Sequence, residues 1–470
     1  MKARTKIKKL DILNGSIWNK LPKYALPVAA TGILEQLFNA SDIAIVGNFA
    51  SMNRTVAIAA VGANSPIIGM ILNLFIGISL GTNVVIANAI GRKDKETVEK
   101  AVHTSVITAF IGGLIVMLIG ELCIGNILKM LNVPNDVFPY ALLYIRIYLL
   151  GMPVIFLYNF EAAIFRSTGD TKEPLQALAF SGILNVILNL IFVILFKMTV
   201  NGVAIATVIA NTVSSAILFI RLMRTDKMIH LEVKKLRMDK DSLVRIIKIG
   251  LPAGIQSAVF NFANIVIQAA INSLGTVVIA ASSAAYNIEI LAYYMLNSFS
   301  QACTTFVGQN YGAGQIKRCK RTLGLCLIED FIASAASITI ILFSGKFLLS
   351  LFNSNSQVIE IGYSRLVMIF TAYIFSMIYE VMSGYLRGFG ISLVPAILTI
   401  IGVCVVRIIW VYTAFPKSRT FHTLMMAYPI SLSTTALLIF IALVIYRPSR
   451  RFSIKNNDSV IGGKNNETAG

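Results

Sequence analysis

The sequence predicts an all-α polytopic membrane protein of twelve transmembrane helices, arranged as two six-helix lobes related by a parallel internal repeat. Three observations carry that expectation. The 470 residues are 56% hydrophobic and only 13% charged, against roughly 25% charged in soluble domains. Apolar runs recur along the whole length, and about 20 such residues at 1.5 Å each cross a hydrocarbon core of ~30 Å. The chain also resembles itself. An offset of 221 residues pairs Ala59 and Ala60 with Ala280 and Ala281, Gly91 with Gly312, Tyr158 with Tyr379, Arg166 with Arg387, Gly169 with Gly390 and Pro174 with Pro395.

The spans fall at 22–49, 57–90, 97–128, 137–165, 174–196, 201–223, 246–272, 276–310, 319–350, 357–386, 394–415 and 421–446. Several exceed the minimum length, so tilt or protrusion into water is expected. At the first span the offset becomes 225, pairing Leu26-Pro27 with Leu251-Pro252, so four extra residues are expected in the loop around Met52 to Val56. Six spans per copy make both copies enter the membrane in the same direction. In such parallel repeats, substrate binding is expected between and within the lobes. The lobes are 22–223 and 246–446, joined by the charged linker 224–245. Residues 1–21 form a basic lead-in, either an amphipathic segment lying on the anionic leaflet or a frayed tail. Residues 447–470 form a basic then polar tail, expected to be disordered.

A net charge of +19 raises nucleic acid as a partner, but the basic residues track loop parity. Of the 41 Lys and Arg, only Arg54, Lys129, Lys197, Lys346, Lys417 and Arg419 fall in or beside odd-numbered loops, and only Arg146, Arg365 and Arg407 within spans. The remainder lie in the two termini and the even-numbered loops, which places both termini in the cytoplasm of a multi-pass protein of the plasma membrane, in a bacterium its cell membrane. Nucleic acid is therefore not an expected partner, membrane lipid is, and no obligate protein partner is indicated. Cys123, Cys303, Cys319, Cys326 and Cys404 show neither a CxxC pair nor a histidine at ligand spacing, so no zinc site or disulfide framework is expected. The basic first 25 residues carry no obvious cleavage site, so no removable signal peptide is expected.

Function is expected to centre on the first span. In LPVAATGILEQLFNASDIAIVG (26–47), Glu35, Asn39 and Asp42 share one helical stripe, while Ile33, Leu37, Ile43 and Ile45 cover the rest. A carboxylate at the bilayer centre costs several kcal/mol, so the stripe must face a protein interior or a wet cavity. In the fifth span Asn185 and Asn189 are one turn apart, and Thr207 lies in the sixth. These residues either bond helix to helix or, with Asp42, form a small polar site for a proton or a hard monovalent cation such as Na+. No other metal and no organic cofactor is expected.

The second copy lacks the acidic stripe and offers Asn261, Asn264 and Gln268 instead, with Glu289 and Glu380 as acids in later spans. Glu161, Glu289 and Glu380 have a plainer reading as partners of Arg146, Arg365 or Arg407. His103, His230 and His422 are isolated. The repeated Arg-x-x-Gly elements, FRSTGDTKEPL (165–175) and LRGFGISLVPA (386–396), read as a helix stop and restart. Asp170 and Glu173 have capping-box spacing, Pro174 sits early in the next helix, and Arg166 and Arg387 are placed to bond terminal carbonyls. GxxxG spacing at Gly77/Gly81 and Gly308/Gly312 suits close helix approach.

Twelve spans, the six-plus-six repeat, LP opening each half, the first-span Asp before VG, the twin Arg-x-x-Gly turns and GQNYGAG together resemble the multidrug and toxic compound extrusion family, over about residues 20–446. The resemblance implies a cation-coupled antiporter that exports mostly cationic, amphipathic organic compounds. It assigns Asp42 as the first-span acid, Asn185 as the fifth-span Asn and Thr207 as a sixth-span polar ligand. Asn189 departs from the pattern, since many relatives carry Asp there, and the seventh span lacks the acid another branch uses. On this reading Asp42 binds a proton or sodium ion in competition with substrate, and Glu35, Asn39, Asn261, Asn264, Gln268 and Glu289 are candidates for cavity or substrate contacts. A lipid-linked glycan flippase shares the architecture but needs a strongly cationic cavity. An intramembrane enzyme would need an HExxH, paired-Asp or Ser-His arrangement, which the spans lack.

Overall fold

The structure, a computed structural model, describes residues 10–49, 53–131 and 133–450, and within them it contains only helices and their connections. The helices are α1 (Leu21–Phe49), α2 (Arg54–Gly62), α3 (Ser65–Gly91), α4 (Lys95–Met130), α5 (Phe138–Leu150), α6 (Met152–Ser167), α7 (Lys172–Leu190) and α8 (Val200–Arg224). The second half supplies α9 (Lys240–Asn272), α10 (Thr276–Gly312), α11 (Ile316–Ser350), α12 (Ser356–Gly388), α13 (Leu393–Thr399), α14 (Val406–Thr413), α15 (Phe421–Met425) and α16 (Ala427–Tyr446). Each predicted span corresponds to one helix or to one interrupted run. Among the described residues ten runs are long and apolar enough to cross a bilayer and the bent pair α5 and α6 adds one more; the 29-residue α1 coincides with the first predicted span but is not among these runs. Residues 50–52, which include Met52 at the start of the loop expected to hold the insertion, and the tail beyond 450 lie outside the described residues.

The interruptions have local causes. Gly151 and Pro153 part α5 from α6 at a 51° bend, because Pro153 has no N–H to continue the ladder. Between α2 and α3 the buried Asn64 side chain donates to the carbonyls of Ala60 and Ala141, each at 2.9 Å. It thereby ties the break to α5. Two spans also contain π turns, Ile191–Leu195 after α7 and Ile400–Val405 before α14.

The Arg-x-x-Gly turns form as a matched pair by a route other than the one expected. Gly169 and Gly390 take φ of +86° and +81°, the left-handed region that glycine reaches without a Cβ penalty. Asp170 N–H then donates to the Phe165 carbonyl at 3.2 Å and Ile391 N–H to the Leu386 carbonyl at 3.0 Å, satisfying the last carbonyls of the preceding helix. The capping box does not form, because Asp170 pairs with Lys227 at 2.6 Å and Glu173 with Arg221. Nor do the arginines cap carbonyls. Arg387 reaches Gln256 at 2.9 Å instead.

Packing groups the described residues into two units. One comprises Ala30–Ile86 and Lys95–Gly254; the other contains Ala87–Asp94 and the chain from Ile255 onward, together with the start of α1 as far as Ala29. In the first unit, Gly77 and Gly81 of α3 lie against Gly254 and Ile246 of α9 so closely that a methyl group on either would overlap backbone. In the second, Gly91 meets the Gln309 carbonyl and Gly312 meets the Asn88 carbonyl in the same way. The GxxxG expectation therefore describes real close approaches.

The lead-in from Leu10 neither frays nor rests on the leaflet alone. Ile12 and Ile17 are buried beside Phe306 and Cys319, and Arg318 donates to the carbonyls of Ile12 and Gly15 at 3.0 and 2.9 Å. The linker is likewise held. Glu232 N–H donates to His103 Nε2 at 3.2 Å and Asp239 N–H to Thr104 Oγ1 at 2.9 Å, so a histidine that looked isolated anchors a loop. Ser242 bonds to Asp239 hold the Asp239 carboxyl below its usual range.

The left-handed glycines give a direct test. Gly169→Ala and Gly390→Ala should each cost about 1–2 kcal/mol and lower the thermal midpoint of the purified protein. Gly324→Ala, where an added methyl meets nothing within 4 Å, should leave the midpoint unchanged or raise it.

Candidate functional site

Asp42 projects from α1 into the first unit and meets α7 and α8. Its exposure is 5%, and Asn185 and Asn189 are buried beside it. Asn189 Nδ2 donates to Asp42 Oδ1 at 2.6 Å and to Asn185 Oδ1 at 3.2 Å. Thr207 Oγ1 lies 3.1 Å from Asp42 Oδ2, and Asn185 Nδ2 donates to Thr207 Oγ1 at 3.3 Å. All four predicted site residues thus form one closed network.

Helical spacing explains why three helices suffice. Ser181, Asn185 and Asn189 repeat every four residues along α7, and Thr207, Asn211 and Ser215 do the same along α8, so each helix presents one polar stripe. The π turn begins two residues after Asn189, and its i→i+5 bonding widens the helix beside the site, a common position for such turns.

Among the described residues every hydrogen-bond partner of Asp42 is neutral, which sets the chemistry. A carboxylate removed from water without a counter-charge is costly, so the favourable states are those in which a proton or a cation accompanies it. Both are accommodated by the hydroxyl of Thr207, which lies 3.1 Å from Asp42 Oδ2 and 3.0 Å from the Val203 carbonyl. One hydroxyl proton serves one acceptor at a time. It can turn to an ionised Asp42, or turn to Val203 and accept from a protonated Asp42. For a hard monovalent cation, the oxygens of Asp42, Asn185 and Thr207 are at hand, and Asn189 Oδ1 is buried without a partner. Among the described residues no group of three or more His, Cys, Asp or Glu is placed to hold a metal ion.

A cavity of about 130 Å³ adjoins this network and is lined by Glu35, Asn39 and Asp42 of the predicted stripe. It has room for several waters, whereas drug-sized ligands fill roughly 300–1,000 Å³. Tyr148, Tyr158, Asn159, Ser181 and Asn211 also line it and were not singled out from the sequence as site residues. The four-residue spacing of Ser181 with Asn185, and of Asn211 with Thr207, was the signal available for two of them.

The second-copy candidates do not form a matching acid site. Glu289 is held in place: Arg365 Nη2 donates to Glu289 Oε2 at 3.0 Å and Tyr373 OH to Oε1 at 3.2 Å, with Ser282 also bonded to Arg365. Gln268 donates to Asn272 at 2.8 Å, Asn261 Nδ2 is buried without a partner, and Asn264 accepts from Arg407 at 3.3 Å. Of Glu161, Glu289 and Glu380, only Glu289 pairs with one of the three expected arginines among the described residues. Glu161 accepts from Ser215 at 3.0 Å, Arg146 lies 3.5 Å from Glu121, and Glu380 interacts with Arg387 and Tyr379. Glu329 and Asp330 of α11, which sequence reasoning passed over, are buried, and Ser334 donates to Asp330 at 2.8 Å.

A family model, MatE, matches residues 27–191 and 252–413. The chain is 25% identical over 441 residues to a probable multidrug resistance protein, YoeA, of Bacillus subtilis, covering 90% of this chain and 93% of that one. It is 27% identical over 403 residues to a probable multidrug resistance protein, NorM, of Thermotoga maritima, covering 83% and 84%. A solved structure described as the outward-facing conformation of a multidrug resistance MATE family transporter of the MOP superfamily superposes with a TM-score of 0.87 at 21% identity. That match covers 95% of this chain and all of the other.

The network predicts energetic coupling. Asp42→Ala and Asn189→Ala combined should lower the thermal midpoint by less than the sum of the single changes, by the equivalent of ~1–3 kcal/mol. Asp42→Ala with Ser181→Ala, whose hydroxyl bonds Leu178 and not Asp42, should be additive.

Proposed function

The chain belongs to the MatE family of multidrug efflux transporters, and from that premise we propose that it is a secondary active antiporter whose coupling ion, H+ or Na+, is taken at Asp42. The protein is a transporter and not an enzyme, and it is a multi-pass membrane protein. The observation that carries the proposal is the all-neutral hydrogen-bond shell of a buried acid. An acid locked to an arginine would be indifferent to an ion gradient, whereas Asp42 needs a companion charge and has room for one.

Exported substrates are small amphipathic organic compounds, with cationic groups drawn to the Glu35 carboxylate in the cavity beside Asp42. A proton or sodium ion arriving at Asp42 weakens that attraction, and a cationic group arriving first disfavours the ion, so each tenant speeds the release of the other. The lobes are 22–223 and 246–446, with both termini in the cytoplasm, where the basic linker also lies. The flippase alternative gains no support from the Asp42 cavity, whose charged lining residues are acidic.

Efflux of a cationic dye from proteoliposomes, driven by an imposed pH gradient or sodium gradient applied one at a time, is the deciding measurement. Asp42→Asn should reduce gradient-driven efflux at least tenfold while leaving the thermal midpoint near that of the parent. An unimpaired rate in that variant removes Asp42 from the mechanism. Glu35→Gln should weaken export of cationic dyes more than of neutral ones, read as a change in their efflux ratio.

A further inference from the structure

Among the described residues Arg407 is the largest fully buried side chain, and no carboxylate among them pairs with it. Its Nε donates to Ser431 Oγ at 3.0 Å and its Nη1 to Asn264 Oδ1 at 3.3 Å. The guanidinium lies 4.2 Å from the ring centre of Tyr428 and 5.4 Å from that of Phe260. Neighbouring Arg365 is neutralised by Glu289. Arg407 is not, and it falls well inside the span Leu393–Lys417, where an uncompensated charge is costly and marks function.

The internal repeat gives this cluster its meaning. The offset of 225 that relates the opening helices carries Glu35 to Phe260 and Asn39 to Asn264, and the offset of 221 carries Thr207 to Tyr428 and Ala210 to Ser431. The four side chains touching the guanidinium are therefore the repeat equivalents of four residues that line the Asp42 cavity. Arg407 itself follows the π turn Ile400–Val405, while the π turn of the first half comes later in its helix, at Ile191–Leu195. A π turn holds one residue more than an α turn, so between the two turns the register shifts by one and Arg407 takes the place of Asn185. Asp42 corresponds to Ile267, which is 2% exposed. Equivalent clusters thus carry an acid in one half and an arginine in the other, contributed from different positions, the opening helix in the first and the helix of the π turn in the second.

We propose that the second half binds an organic anion, the carboxylate, phosphate or sulfonate of an amphipathic solute, on the Arg407 guanidinium between Asn264 and Tyr428. This deepens the efflux reading by adding a second substrate class. Asn264 and Phe260 are only half-buried, which gives the anion a route to the guanidinium, and the planar fork of arginine suits bidentate oxyanions. A lipid headgroup would carry the same chemistry. A free solute is the assigned source, because Arg407 lies 14 residues from one end of its span and 10 from the other, about 15 Å from the nearer end at 1.5 Å per residue, and headgroups stay at the bilayer surface.

The test is calorimetric titration of the full-length protein, in nanodiscs of phosphatidylcholine, with 1-naphthoate, 1-naphthyl phosphate and the neutral 1-naphthol. The two anions should bind at least tenfold more tightly than naphthol. Arg407→Gln should abolish that preference. So should Phe260→Glu, which places beside the guanidinium the acid that the first half carries at the same position and keeps the charge compensated if Arg407→Gln fails to fold. Arg146→Gln, which removes a positive charge elsewhere, should not alter it. Equal binding of naphthoate and naphthol, or an anion preference that survives Phe260→Glu, would overturn the proposal. Displacement of naphthoate by added phosphatidylglycerol would assign the site to lipid and overturn the solute reading. No gradient is used, so loss of anion binding leaves gradient-driven dye efflux as a separate test of antiport.

Discussion

A carboxyl group inside an apolar helical protein, bonded only to amides and a hydroxyl, is the constraint around which the first half is arranged. Asp42 takes its donors from Asn189 and Thr207, and both are placed by four-residue polar stripes on helices that are otherwise apolar. The contrast with Glu289 shows what neutrality of the shell accomplishes. Glu289 accepts from Arg365 and Tyr373, so its charge is compensated permanently and the group serves as a fastener between α10 and α12. Asp42 has donors enough to orient it but no charge to complete it, and completion must come from outside.

Keeping such a group in register asks much of the backbone. The close approaches of α3 at Gly77 and Gly81 and the left-handed stop at Gly169 fix helices within the first unit at separations that larger residues would prevent. The same devices recur in the second unit at Gly91, Gly312 and Gly390. Duplication has preserved the left-handed stop at Gly169 and Gly390 and the close approach at Gly91 and Gly312, while Gly77 and Gly81 have become Ser298 and Ala302. The side chains facing inward at equivalent places were free to diverge, because the joints and not the site hold the helices.

Much of this was legible in the sequence. Span number and boundaries followed from apolar run length, and the parallel repeat from self-similarity. The Asp42 group followed from helical spacing together with a family resemblance that named its members. What escaped was the behaviour of side chains whose partners lie far away in the chain. Asp170 and Glu173 had capping-box spacing yet turned to Lys227 and Arg221, because a nearby opposite charge outweighs a neutral N–H. His103 looked isolated because its partner is the backbone of a linker 129 residues away. Breaks at Asn64 and Gly151 were absorbed into continuous spans because hydropathy averages over a single polar or small residue. The π turns leave no compositional mark at all, although one of them decides which residue faces the second-half site.

Through those turns, local helix geometry reaches substrate chemistry. A one-residue register shift rotates everything beyond it by about 100° on a helix. In the second half this brings Arg407 to the place where the first half presents Asn185, while Ile267 stands where Asp42 does. Charge at a duplicated site can thus be inverted by substituting at the opening helix and shifting the register of a later one, with the surrounding joints untouched. The aromatic residues at 260 and 428 then fit naturally, since rings tolerate and partly stabilise a guanidinium where Glu35 and Thr207 equivalents would have neutralised it or bonded it to hydroxyl. A half that keeps its arginine uncompensated and a half that keeps its acid uncompensated impose complementary demands on their ligands, which is the physical ground for proposing solutes of either sign.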